Sequence, residues 1–206
     1  MKAFSNLTPY SSGEIERRIL ATGLIDELET GRVEPEEFAV MYGRQLIWGS
    51  QPLNSAITVP DPEEGDPASE ILREYTRAYY VAGQPWLMGG KMMRMAVRPK
   101  DAAAGECGIE LAADAHTTTY SYNNRDKIWT GPAVMASAWE RFGDIGIVMA
   151  NVTAEEQSVD LTIRGDVLGL NGEQMVRLWP EVEEMGDAPG ERTLTLQPWG
   201  CAVLCI

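Results

Sequence analysis

The stretch that decides the fold is GPAVMASAWERFGDIGIVMANVTAEEQSVDLTI, residues 131–163. Ala133 to Trp139 and Gly143 to Ala150 are two short runs rich in apolar residues, parted by the turn signal Phe142-Gly143-Asp144. A third run, Val159-Asp160-Leu161-Thr162-Ile163, places an apolar residue at every second position, the pattern of a strand with one buried and one wet face. Downstream, Met175–Trp179, Thr193–Leu196 and Gly200–Ile206 continue the series, separated by Asn171-Gly172 and Ala188-Pro189-Gly190. Six short strands at this spacing predict an antiparallel β-sandwich over residues 96–206. Upstream, Arg98–Gly105 (RPKDAAAG) is the joint with the preceding half or a loop at the sandwich's edge.

Residues 1–95 have a different grammar. Ser11 and Glu14 form a capping box, after which Ile15, Ile19, Leu24 and Leu28 recur at helical spacing up to Gly31. Glu34-Pro35-Glu36-Glu37 starts a second helix, with proline in its first turn, acids at its positive end and an apolar face of Phe38, Met41 and Tyr42. Gln45–Trp48 is expected to be a short strand, followed by the loop 51–66 and a helix from Asp66-Pro67 bearing Ile71, Leu72, Tyr75 and Tyr79. With a further candidate strand at Ala3–Leu7, the order is that of two βα units, which calls for parallel strands joined by helices. The fold class expected is α+β.

Composition excludes several functions. The 206 residues carry a net charge of −14, which repels nucleic acid and anionic membrane, so neither is an expected partner. No apolar run approaches the roughly 20 residues of a membrane span, and the first residues hold one lysine and no apolar signal core, so a cytoplasmic location is expected. Of the three cysteines, Cys201 and Cys205 share one strand face, roughly 13 Å apart, too far for a disulfide. The single histidine, His116, has no cysteine at metal-ligand spacing, so no metal and no cofactor is expected.

Four blocks together resemble the C-terminal end of a glycoside-hydrolase-like TIM barrel and the β-sandwich that follows it. They are AFSNLTPY (3–10), FAVMYGRQLIWGSQP (38–52), EYTRAYYVAGQPWLMGGKM (74–92) and the opening stretch 131–163 with its S-x-W and N-x-T elements. The resemblance implies the last two βα units over 1–95 and the sandwich over 96–206. It also implies a protein acting on carbohydrate. A whole barrel needs eight such units and typically about 250 residues. The earlier strands, on which paired carboxylates generally sit in such enzymes, have no counterpart here, so no catalytic residue is assigned. Asn151-Val152-Thr153 also spells a glycosylation sequon, but its position at a strand end marks a turn former.

In a barrel, the loop after a strand faces the active site. That placement makes Trp48 a candidate for stacking on a sugar, and Gln51 and Asn54 candidates for bonding its hydroxyls. The acids Asp61, Glu63, Glu64 and Asp66 share the loop, but four acids between prolines read as a solvated turn, with Asp66 as a helix cap. The expectation is thus the C-terminal portion of a carbohydrate-acting, glycoside-hydrolase-like protein, inactive as an isolated chain. Its partners would be carbohydrate and either the missing barrel portion or a second copy. The alternatives are a non-catalytic carbohydrate-binding or partner-binding module and a structural protein that dimerises through its half-barrel.

Overall fold

The computed structural model describes residues 35–50, 67–115, 117–122, 125–170, 174–180 and 183–206; over 68–69, 120–122, 125–129, 174–175, 177 and 183–187 only the backbone is described. The expected strand Ala3–Leu7, the helix from Ser11, the loop 51–66, His116 and Asn171-Gly172 lie outside these residues.

The core of the molecule is the hairpin read from the opening stretch. Strand β6 (Val134–Arg141) and strand β7 (Asp144–Asn151) pair antiparallel from Arg141↔Asp144 to Val134↔Asn151. Phe142 (φ 57°) and Gly143 (φ 93°) make the two-residue turn, both left-handed, as a tight hairpin matching the strand twist requires. Around this hairpin lies a six-stranded sheet in the order β1-β6-β7-β12-β9-β10, with β1 Lys91–Met93, β9 Gln174–Trp179, β10 Glu183–Ala188 and β12 Cys201–Cys205. All its pairings are antiparallel.

The facing sheet runs β11-β8-β3-β2, with β2 Ala96–Pro99, β3 Ile109–Ala113, β8 Gln157–Ile163 and β11 Gly190–Leu196. Its β2–β3 pair is parallel and the others are antiparallel. A separate hairpin joins β4 (Thr117–Tyr122) to β5 (Arg125–Pro132). Between the two sheets lie Val134, Ile145, Ile147, Met149, Val159, Leu161, Ala202 and Leu204. The alternation of Val159, Leu161 and Ile163 therefore reads true, because β8 buries one face and half-exposes the other.

The six-stranded sheet is covered on its other face too. Helix α1 (Pro35–Ile47), helix α2 (Pro67–Arg77), a π-helical segment (Ala78–Gly83) and the short helix α3 (Gln84–Leu87) pack there. Phe38, Tyr42, Leu46, Ile71, Tyr75 and Leu87 meet Met135, Trp139, Val148, Ala150, Val152, Cys201 and Val203. Burial on two faces explains why β7 is a continuous apolar run with no polar alternation. Cys201 and Val203 share the helix-covered face, and Cys205 packs against it as well. None of the three cysteines is in a disulfide.

Two expectations need correction. Gln45–Trp48 is not a strand: Gln45–Ile47 complete α1 and Trp48 stands in the turn after it. The apolar triplet Leu46-Ile47-Trp48 suits either structure by composition, but Leu46 falls four residues after Tyr42 and extends the stripe Phe38, Tyr42, Leu46 that seats the helix on the sheet. No strand occurs among the described residues before Lys91, so the described part of the helical half shows no βα unit. The helical half also contributes to the sheet, since β1, which precedes residue 95, pairs with β6. Among the described residues no helix is long and apolar enough to cross a membrane.

Candidate functional site

Trp48 is positioned by the way α1 ends. Ser50 N donates to Gln45 O (2.9 Å) and Gly49 N to Leu46 O (3.0 Å), the paired bonds of a Schellman cap. Gly49 takes φ 66°, and a Cβ there would stand 2.8 Å from Leu87 O and 3.0 Å from the Trp139 ring. Glycine is therefore required both by the left-handed cap and by the close approach of α3. The half-buried Trp48 sits at this corner, where the loop carrying Gln51 and Asn54 departs. Those two residues lie outside the described set, so Trp48 alone of the three candidates is placed.

The N-x-T element proves to be a buried polar hub. Asn151 is fully buried, and its Nδ2 donates toward Glu155 O (2.7 Å), Gln197 O (2.9 Å) and Leu196 O (3.3 Å). Its Oδ1 accepts from Thr153 N (3.0 Å) and lies 2.7 Å from Thr153 Oγ1, while Gln157 Nε2 donates to that hydroxyl (3.3 Å). Asn151 O accepts from the Tyr75 hydroxyl (3.1 Å), which ties α2 to the end of β7. An amide so enclosed is a turn former and presents no nitrogen to a glycosylating enzyme.

Sequence reasoning missed a second cluster. Glu110 on β3 is buried, and its carboxylate accepts from Gly105 N (2.9 Å), Cys107 N (3.0 Å) and Arg98 Nε (3.3 Å), with Arg164 Nη2 at 3.7 Å. The Gly105 amide first, then Cys107, Arg98 and Arg164, hold the carboxyl below the usual glutamate range against the opposing effect of burial. Arg98 also donates to Ala102 O (2.7 Å) and Pro99 O (3.2 Å), so the pair staples the loop 100–108 onto the sheet. The signal in the sequence was an acid flanked by Ile109 and Leu111, a buried charge that must find partners. Beside it Lys100 bonds Asp114 (2.9 Å), Ser158 (2.9 Å) and Asp160 (3.4 Å).

These groups are built for structure. Burial pushes the Tyr75 hydroxyl and the Cys201 thiol well above their ordinary pKa values, so both stay protonated at neutral pH and neither is a poised nucleophile. Burial likewise raises Tyr42 to about 12. Glu110 is ionised, but it is sealed from any ligand by its own partners. Among the described residues no three His, Cys, Asp or Glu side chains converge as metal ligands would.

Residues 132–204 match the family model of the D-apionate lactonase, C-terminal immunoglobulin-like domain. No curated protein matches the chain. Among solved structures, a putative alpha-galactosidase/melibiase from Bacteroides fragilis is 12% identical, with 84% of this chain and 28% of that one covered and a TM-score of 0.40. Alpha-galactosidase I from Mortierella vinacea is also 12% identical, with coverages of 87% and 37% and a TM-score of 0.40. An alpha-amylase from Geobacillus thermoleovorans is 12% identical, with coverages of 88% and 35% and a TM-score of 0.41. The chain spans about a third of the length of these structures. From β6 through most of β12, it is similar to a C-terminal immunoglobulin-like domain of the kind that the family model describes, in keeping with the C-terminal β-sandwich that the sequence resembles.

Proposed function

We propose that this chain is the C-terminal portion of a carbohydrate-acting enzyme of the glycoside-hydrolase-like kind, with its sandwich as an accessory domain and its helices as the end of the preceding catalytic domain. The observation that carries the reading is the match of residues 132–204 to the model of the D-apionate lactonase, C-terminal immunoglobulin-like domain. The chain's own chemistry agrees. Glycoside hydrolysis needs two carboxyl groups across one bond, about 5–9.5 Å apart; of the two buried carboxylates among the described residues, Glu37 and Glu110, the latter is consumed by a loop.

In this reading the corner after α1 forms part of the rim of a sugar site. Trp48 stacks on a sugar face and Gln51 and Asn54 bond hydroxyls from the following loop. An aromatic contact is worth about 0.5–1.5 kcal/mol beyond its buried area, which orients a sugar but does not hold it tightly. Titration of the chain with galactosides, glucosides and sugar lactones, followed by tryptophan fluorescence and calorimetry, tests this. We expect binding no tighter than about millimolar, weakened several-fold by Trp48→Ala. Binding unchanged in Trp48→Ala would remove the rim from this corner.

A further inference from the structure

Strands β2 and β3 are parallel neighbours, in register from Ala96↔Glu110 to Pro99↔Ala113, and the nine residues 100–108 join them. A parallel pair ordinarily takes a connection of about a dozen residues or more, most often a helix. Here the link is bare chain, and it must run back along the whole of β2 to reach Ile109. Ile109, Leu111 and Ala113 point into the sandwich core, so Glu110 between them points out of it. Its side chain is nevertheless only 1% exposed. The returning chain, Arg98 and Arg164 enclose it.

Both ends of this link are anchored without Glu110. Lys100 N donates to Ala113 O (3.1 Å), Ala102 N donates to Pro99 O (3.1 Å), and Arg98 Nη1 donates to Ala102 O (2.7 Å). At the far end Gly108 O accepts from Arg164 N (2.9 Å), and a Cβ on Gly108 would stand 2.8 Å from the Leu168 side chain. Between these ends, Ala103, Ala104, Gly105 and Glu106 are exposed and bury no apolar side chain. Among the described residues, three bonds hold this middle stretch. Gly105 N and Cys107 N donate to the Glu110 carboxylate, and the Cys107 thiol donates to Arg94 O (3.4 Å).

We propose that residues 103–107 are an acid-released strap: when Glu110 takes up a proton, this stretch lifts off the outer face of β3 while its two ends and the rest of the fold stay in place.

The chemistry favours one direction. An ionised carboxylate is a strong acceptor for both amides, whereas the neutral acid turns one oxygen into an O–H donor and weakens the acceptors that remain. The charged groups at the carboxylate are Arg98 from β2 and Arg164 from the end of β8, and both favour its ionised form. Cys107 is the titratable neighbour on the loop, and Lys100, Asp114 and Asp160 form the adjoining network. The Gly105 amide first, then Cys107, Arg98 and Arg164, hold Glu110 below its ordinary range against burial. The strap is therefore closed at neutral pH and opens as pH falls through the carboxyl's closed-state midpoint. Arg98 keeps Pro99 O and Ala102 O throughout, so the near end does not follow.

Nuclear magnetic resonance of the full chain, with amide exchange measured relative to intrinsic rates at each pH, tests the strap. The Gly105 and Cys107 amide signals should titrate together, with one midpoint below the roughly 4.3 of a free glutamate. Across it their protection should fall by about ten-fold for each pH unit separating the closed and open midpoints. Amides of the β6–β7 hairpin should keep theirs. In Glu110→Gln the same two amides should be weakly protected already at neutral pH, with no acid step. Asp101 and Glu106, the loop's own acids, are exposed and remain in that variant, so it separates Glu110 from them. Protection of Gly105 and Cys107 unchanged through the midpoint in wild type would overturn the proposal, whether or not the variant folds. So would its loss only together with the hairpin's, or an acid step that survives in Glu110→Gln.

Discussion

Asn151 shows how much one side chain can organise. It joins the end of β7, the turn 152–156 and the approach to β12, and its carbonyl receives Tyr75 from the helical layer. Asn151→Ala should destabilise the chain by about 2–4 kcal/mol, because buried carbonyls lose their donor. Tyr75→Phe, which removes one bond, should cost about 1 kcal/mol. Calorimetric unfolding checks both, and equal losses would contradict the hub. Glu110 makes a prediction in pH. Its folded pKa is depressed, so its contribution is complete above the unfolded value near about 4.3 and is lost as pH falls through the folded one. Glu110→Gln should flatten the acid limb of the stability curve. A limb of unchanged slope would show that other carboxylates set it.

At the scale of elements, legibility in the sequence followed burial. The β6–β7 hairpin announced itself through Phe142-Gly143, and β8 through its alternation, because one face is wet. Strand β3 (IELAA) escaped because it is short, buried throughout and interrupted by Glu110, whose partners come from a loop and another strand. Strand β10 (EEMGDA) offers no apolar alternation at all and is defined by its pairing with β9. The end of α1 was misread as a strand because Gly49 breaks an apolar run equally well as a helix cap or a strand end. Only its φ of 66° and the bonds to Gln45 and Leu46 distinguish the two. Trp48 thereby moved from a strand end to a helix corner. Gly49→Ala should lower stability by more than the roughly 1 kcal/mol of the left-handed conformation alone, since the added carbon meets Leu87 O. A thermal midpoint equal to wild type would mean that α1 ends otherwise.

For the whole molecule, three layers follow from the sequence of the central strands: helices, a sheet buried on both faces, and a second sheet with a polar outer side. Starting the chain at Ala96 would remove β1 and bare Met135, Trp139, Val148, Val152 and Val203, an apolar face larger than soluble monomers tolerate. That shortened chain should aggregate or lose its cooperative transition, whereas the alternating pattern of residues 96–206, read without β1 and the helical cover, would have it fold as a free-standing sandwich. A sharp, reversible melt of residues 96–206 would favour the latter. The central claim is that this chain carries the frame and rim of a carbohydrate site without the chemistry. The most direct test is turnover of aryl glycosides and sugar lactones by the purified chain at high concentration. The account predicts no rate above buffer, since each general acid or base supplies about 10²–10⁴-fold and the proposed reading places that pair in the preceding catalytic domain. Turnover abolished by Glu63→Gln, Glu64→Gln or Asp61→Asn would contradict it and place the catalytic acids in the loop after Trp48.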